Sequence, residues 1–87
     1  MNELDQRFIR ATEIANRDIG FKPDTAVLLQ SYALYKQATI GDIEGERPEP
    51  DEVVDAAKYA AWEQLEGMSS DEAKQQYVNL VEKTLAQ

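Results

Sequence analysis

Apolar residues recur at spacings of three and four in four stretches of the sequence, and no stretch shows the alternating pattern of a strand. In the first stretch, Leu4, Phe8 and Ala11 fall on one side of a helix that we predict from Glu3 to Asp18. Gly20 follows as a helix stop. The pattern therefore predicts an all-α fold of four helices that bury their apolar sides against each other.

Capping and helix-breaking residues set the limits of the other three predicted helices. The second is capped by Asp24 and stops before Gly41. The third is predicted over 50–67, because proline suits a first helical turn and glycine ends a helix. The fourth opens with a capping box, in which Ser69 and Glu72 each cover an amide of the other.

The connection from Gly41 to about Pro50 is long for so short a chain. A chain of 87 residues has the length of one domain, taken here as residues 1–87. A long connection allows the second and third helices to run parallel, which a simple up-down bundle does not need. The segment therefore either crosses the bundle or carries function.

Composition excludes several classes of function. Nine basic residues stand against 17 acidic ones, a net charge of −8, which disfavours a nucleic-acid surface. The absence of His and Cys excludes the usual zinc sites and His-based acid–base catalysis. We see no signal peptide and no apolar run of membrane length, so we expect a soluble cytoplasmic protein.

Two candidate sites fail on inspection of their residues. Asp42, Glu44 and Glu46 alternate like calcium ligands, but Arg47 stands where the calcium loop needs glycine, so we expect a solvated loop and no metal. The serines have no His partner, and the carboxylates lie in highly charged stretches where a raised pKa is not expected. The sequence therefore predicts a protein that is not an enzyme and needs no cofactor.

Tyrosine and lysine residues form the most informative cluster. Tyr32, Tyr35 and Lys36 share one side of the second helix, while Lys58 and Tyr77 lie on later helices. On its own, the first group could be core tyrosines with a snorkelling lysine. Together, the two groups suit an adenine nucleotide, because ammonium and hydroxyl groups bind phosphate and aromatic rings stack on a purine.

A specific motif accompanies this cluster. Residues 32–42 read Tyr-x-x-Tyr-Lys-Gln-Ala-Thr-x-Gly-Asp, and Arg47-Pro48, Lys58 and Trp62 follow. In order and spacing, residues 8–77 resemble the acyl-CoA-binding protein family. The resemblance implies an up-down-down-up four-helix bundle with a long crossing loop, and a monomeric carrier that binds long-chain fatty acyl-CoA one to one without catalysis.

The resemblance also implies roles for individual residues. Tyr32, Lys36 and Lys58 would hold the 3′-phosphate of the adenosine. Tyr35 and Tyr77 would contact the adenine and ribose. Leu29 and its apolar neighbours would line the acyl groove, Trp62 would be mainly core, and Asp42, Arg47 and Pro48 would shape the crossing loop.

Four positions depart from the family pattern. The family usually has Trp where this chain has Tyr59, and it often has Lys where this chain has Val54, Ala56 and Asn16. Two other functions stay open at this point. One is a helical protein-interaction module, and the other is an acyl carrier protein, although the Asp-Ser-Leu triplet of that class is missing.

Overall fold

A computed structural model describes residues 2–17 and 20–86, and in this part of the chain all regular structure is helical. The helices are α1 (Glu3–Arg17), α2 (Thr25–Thr39), α3 (Val53–Glu63) and α4 (Ser70–Leu85). The predicted all-α, four-helix fold is therefore confirmed. The predicted last residue of the first helix, Asp18, lies outside the described residues.

Contacts between side chains give the direction of each helix. α1 and α4 run parallel, since Lys74 donates to the Asp5 carboxylate (2.7 Å) near the start of both helices and Arg7 meets Glu82 further along. α2 and α4 run antiparallel, since the Ser70 hydroxyl donates to the carbonyl of Ala38 (2.7 Å), at the end of α2. α1 therefore packs on α4, and α4 packs on α2.

Among the helices as described, α3 packs on α2 alone and runs parallel to it. Lys58, in the middle of α3, lies against Tyr32 in the middle of α2, and Trp62 near the end of α3 lies against Lys36 near the end of α2. The implied up-down-down-up topology is thus confirmed, and residues 40–52 form the crossing connection that a parallel pair requires.

Two of the predicted helix caps form as expected. The Asp24 carboxylate accepts a hydrogen bond from the amide of Val27 (2.9 Å), and the Ser69 hydroxyl accepts one from the amide of Glu72 (3.1 Å). The other half of the predicted capping box, from the Ser69 amide to the Glu72 carboxylate, is not formed among the described residues. Each cap satisfies an amide that the first helical turn leaves without a partner.

The predicted limits of the third helix are wrong at both ends. α3 begins at Val53, because the Glu52 amide donates to the Glu49 carbonyl (2.9 Å) and the Glu52 carboxylate accepts from the Glu49 amide (3.1 Å). These two bonds hold residues 49–52 as a turn. α3 ends at Glu63, and the chain continues in turns to Gly67, whose positive φ of 92° suits glycine.

The buried core lies between α1, α2 and α4. Its buried apolar members are Phe8, Ala11, Leu34, Ala38, Ala73, Tyr77, Val78 and Val81. Trp62 is the buried residue of α3. Because α3 sits at the edge of this arrangement, the side of α2 that faces it is left partly open. Within the described residues, no helix is both long and apolar enough to cross a membrane.

Candidate functional site

Two lysine side chains from different helices approach the ring of Tyr32. The Lys58 ammonium is 5.2 Å from the centre of the Tyr32 ring, and the Lys36 ammonium is 5.6 Å from it. Lys36 reaches the ring from one turn further along α2, and Lys58 reaches it because α3 runs parallel to α2. Both contacts fall in the range of a cation–π interaction. The parallel packing thus brings together three residues that the sequence analysis assigned to a phosphate.

The Lys36 ammonium also lies 5.7 Å from the centre of the Trp62 indole. Trp62 is 7% exposed, as expected for a core residue. Its indole N–H donates to the carbonyl of Gly41 (2.8 Å), where the chain leaves α2. The sequence analysis missed the contact with Lys36, because the positions of residues 36 and 62 relative to each other depend on how α3 packs.

Tyr35 and Tyr77 form a second aromatic group with Phe8. The Phe8 ring stacks on Tyr35 with 6.0 Å between ring centres and meets Tyr77 edge-on at 5.2 Å. Burial raises the pKa of the Tyr77 hydroxyl, and Tyr35 raises it further. Tyr35, 42% exposed, reaches solvent, whereas Tyr77 is buried. These rings lie beside the group formed by Tyr32, Lys36 and Lys58, and not within it.

An apolar groove of about 480 Å³ separates the first halves of α2 and α3. Leu29, which the sequence analysis placed in an acyl groove, lines it. The other apolar wall residues are Leu28, Val53, Val54 and Ala57. The resemblance implied that apolar neighbours of Leu29 line the groove but did not say which ones. Val53 and Val54 are adjacent apolar residues at the start of α3 and are 71% and 65% exposed, which is a signal that the structure gives and the sequence does not.

Tyr32 stands where three grooves meet. It borders the apolar groove, a groove of about 360 Å³ shared with Tyr35, Tyr77 and Phe21, and a groove of about 440 Å³ under the crossing connection. Lys58 lines the first and the third of these. The arrangement can therefore take a branched or bent ligand with an apolar tail, an aromatic group and an anion near Tyr32.

The third groove, under the crossing connection, is lined by more acidic than basic residues. Four carboxylates line it, those of Glu46, Glu49, Glu52 and Asp55. Arg47 and Lys58 line the same groove, so its acidic residues outnumber its basic ones by four to two and disfavour an anion away from these cations. In the part of the chain that is described, no group of three or more acidic residues could hold a metal ion.

The crossing connection is fixed to the helices on both sides of the site. The Arg47 guanidinium donates to the Glu63 carboxylate (2.6 Å) and lies 4.9 Å from the centre of the Tyr59 ring. The Asp42 carboxylate accepts from the Gly67 amide and from the Gln37 side chain, both at 2.8 Å, and the first of these donors lowers its pKa most. Pro48 lines the third groove. These contacts agree with the structural role expected for the connection.

The fold and the grooves define an all-α domain that presents an apolar groove beside a pair of cations. A family model described as acyl CoA binding protein matches residues 5–81. The chain belongs to the acyl-CoA-binding protein family. It is 42% identical to the acyl-CoA-binding protein of Saccharomyces cerevisiae over 83 residues, which cover 95% of this chain and 94% of the yeast protein.

Other relatives and solved structures agree with this membership. An acyl-CoA-binding protein homolog of Drosophila melanogaster is 38% identical over 83 residues, 95% of each chain. The crystal structure of Oryza sativa acyl-CoA-binding protein 2 matches with a TM-score of 0.87 at 33% identity, over 95% of this chain and 89% of the rice chain. A crystal structure from Moniliophthora perniciosa matches with a TM-score of 0.85 at 32% identity, over 100% of this chain and 86% of the fungal chain.

Proposed function

We propose that this protein is a carrier that binds one long-chain fatty acyl-CoA thioester and protects it from water. The observation that carries the proposal is the meeting of the apolar groove with two ammonium groups at Tyr32. An acyl-CoA has the matching parts, a long apolar tail and an adenosine with a 3′-phosphate. Membership of the acyl-CoA-binding protein family supports the same ligand.

The head group of the ligand would be held by charge and hydrogen bonds. In our proposal Lys36, Lys58 and the Tyr32 hydroxyl contact the 3′-phosphate, because their side chains already converge in the described structure. Each charge-assisted hydrogen bond of this kind contributes about 1.5–3 kcal/mol. The adenine and ribose would lie in the adjoining groove against Tyr35 and Tyr77.

The acyl chain would lie in the apolar groove along Leu29, Val54 and Ala57. Burial of an acyl chain contributes about 0.8 kcal/mol per methylene, from which the cost of association is subtracted. Val54 stands where the family often has Lys, so this groove is more apolar on its α3 side than the family pattern. In our proposal both ends of the ligand contribute to its binding.

We further propose that residues 1–87 act as a single ligand-binding unit that works as a monomer inside the cell. The role is binding and not catalysis. The site described above pairs lysines with tyrosines and has no nucleophile beside a general base. The ligand is carried and released unchanged, so the function needs no cofactor.

Isothermal titration calorimetry with palmitoyl-CoA, CoA and palmitate tests the proposal. We expect one palmitoyl-CoA per chain, weaker binding of CoA, and the weakest binding of palmitate, which lacks the nucleotide. Native mass spectrometry gives the stoichiometry independently. Equal affinity for palmitate and palmitoyl-CoA would refute the proposed role of the head-group residues.

A further inference from the structure

The indole of Trp62 is connected to Lys36 by two separate routes. At the side chain, the Lys36 ammonium lies 5.7 Å from the centre of the indole ring. At the backbone, the indole N–H donates to the Gly41 carbonyl (2.8 Å), and the Gly41 amide donates to the Lys36 carbonyl (3.2 Å). One residue of α3 thus contacts both the charged end of Lys36 and the turn of backbone that follows it.

The surroundings of Lys36 explain why such a contact has an effect. A lysine side chain has four flexible carbons, and holding it in one position costs conformational entropy. Among the described residues, the ion pairs involve Arg7, Arg47 and Lys74, so no carboxylate holds Lys36 in place. Its ammonium lies instead over two aromatic rings, 5.6 Å from the centre of Tyr32 and 5.7 Å from the centre of Trp62. The rings hold the ammonium without neutralising its charge.

We infer that Trp62 is a positioning residue for ligand binding, which holds the Lys36 ammonium ready for a phosphate. This inference rests on the proposed function, in which Lys36 binds the 3′-phosphate of an acyl-CoA. Trp62 itself need not touch the ligand. Its effect should therefore be specific to the phosphate that Lys36 binds and should leave the affinity for the rest of the ligand unchanged.

The test compares palmitoyl-CoA with palmitoyl-dephospho-CoA, which lacks only the 3′-phosphate. The dissociation constant of palmitoyl-dephospho-CoA divided by that of palmitoyl-CoA measures how strongly the protein recognises the 3′-phosphate. Trp62→Phe keeps an aromatic ring but removes the N–H donor, and Trp62→Leu removes both. We expect the ratio to fall by about fivefold in Trp62→Leu and by less in Trp62→Phe, because a weaker cation–π contact holds Lys36 less well.

Val81→Ala is the matched control, since Val81 is buried in α4 and contributes to the core away from Lys36. It should lower stability while leaving the ratio unchanged. If the Trp62 variants weaken binding of both ligands equally, Trp62 is only a core residue and the inference is wrong. A ratio near one in the wild-type protein would instead refute the proposed 3′-phosphate contacts, so the two failures are distinguishable.

A second measurement does not require the variants to fold. In the NMR spectrum of the wild-type protein without ligand, the ε-methylene protons of Lys36 should be shifted upfield by the ring currents of Trp62 and Tyr32. The exposed Lys83 on α4 provides the comparison. Equal shifts for the two lysines would show that Lys36 is not held over the rings, and would overturn the inference.

Discussion

The side-chain amide of Gln37 donates a 2.8 Å hydrogen bond to the Asp42 carboxylate across the end of α2. The same carboxylate oxygen accepts from the Gly67 amide, and the Gln37 amide also donates to the Met68 carbonyl, both at 2.8 Å. Gln37 is 1% exposed, so these bonds are largely shielded at one end. Together they tie the end of α2, which carries Lys36, to the connection between α3 and α4.

The Asp42 carboxylate should make stability depend on acidic pH. The Gly67 amide and then Gln37 lower the pKa of this carboxyl below its ordinary value of 3.8. The folded chain therefore binds this proton less readily than the unfolded chain does. Its contribution to stability is present above the ordinary pKa and is lost as the pH falls through the folded value.

We predict that Asp42→Asn lowers the free energy of unfolding at neutral pH, and that its difference from wild type shrinks as the pH falls below about 4. Urea denaturation at a series of pH values measures this difference. Glu44→Gln, in the exposed part of the same connection, is the control and should show little effect. A difference that stays constant down to the lowest pH would contradict the assignment.

Loss of either lysine at Tyr32 should weaken binding without unfolding the protein. We predict that Lys36→Ala and Lys58→Ala each lower the affinity for palmitoyl-CoA by about 1.5–3 kcal/mol, the contribution of a charge-assisted hydrogen bond. Thermal unfolding should be almost unchanged, since both side chains are only half-buried. Calorimetric titration checks the affinity, and Lys83→Ala on the exposed end of α4 should bind normally. Unchanged affinity in Lys36→Ala would show that Lys36 does not contact the ligand.

Leu29 should affect the acyl chain and not the nucleotide. Leu29→Ala removes apolar surface from the groove wall, and we predict a loss of about 1–2 kcal/mol in binding of palmitoyl-CoA. Binding of CoA without an acyl chain should not change. Titration with CoA, octanoyl-CoA and palmitoyl-CoA gives the dependence on chain length. Leu80→Ala is the control, since Leu80 packs against the core from α4, and it should leave the affinity for all three ligands unchanged. An equal loss of affinity for all three ligands in Leu29→Ala would place Leu29 outside the groove.

Tyr77 should make stability depend on alkaline pH. Burial, and then Tyr35, raises the pKa of the Tyr77 hydroxyl above its ordinary value of 10.0. The folded chain therefore keeps this proton after the unfolded chain has lost it. The contribution is fully present below the ordinary pKa and is lost as the pH rises through the folded value.

We predict that the free energy of unfolding of the wild-type protein falls as the pH rises above about 10, and that Tyr77→Phe reduces this fall. Denaturation with urea at several alkaline pH values checks the prediction. Tyr59→Phe serves as the control, since Tyr59 packs against Arg47 at the crossing connection and not in the core. Parallel curves for wild type and Tyr77→Phe would show that Tyr77 does not titrate in this way.

Features that depend on neighbouring residues could be predicted well. The helical periodicity gave the four helices, and the Asp24 and Ser69 caps formed because a cap needs only the next three residues. The predicted start of α3 at Pro50 failed for a local reason as well. Two hydrogen bonds between Glu49 and Glu52 hold that segment as a turn. The presence of Pro50 does not indicate whether the segment forms this turn or the first turn of a helix.

The candidate site was anticipated through the family motif and not through spacing alone. Helical spacing placed Tyr32 and Lys36 on one side of α2, but it could not relate them to Lys58, which lies 26 residues after Tyr32 on another helix. Helical spacing also did not show that Tyr35 and Tyr77 lie apart from the group of Tyr32, Lys36 and Lys58. In the structure they belong to a neighbouring groove and pack on Phe8.

The sequence by itself determined that the chain forms amphipathic helices and where most of them begin. Periodicity did not show that α2 and α3 run parallel or that Lys58 meets Tyr32, and these points came from the family resemblance and the tertiary structure. The tertiary structure alone decided that Trp62 contacts Lys36. The physical reason is range. Periodicity and capping arise within one or two helical turns, whereas the position of an edge helix is set by packing and hydrogen bonds between distant residues, such as Trp62 and Gly41.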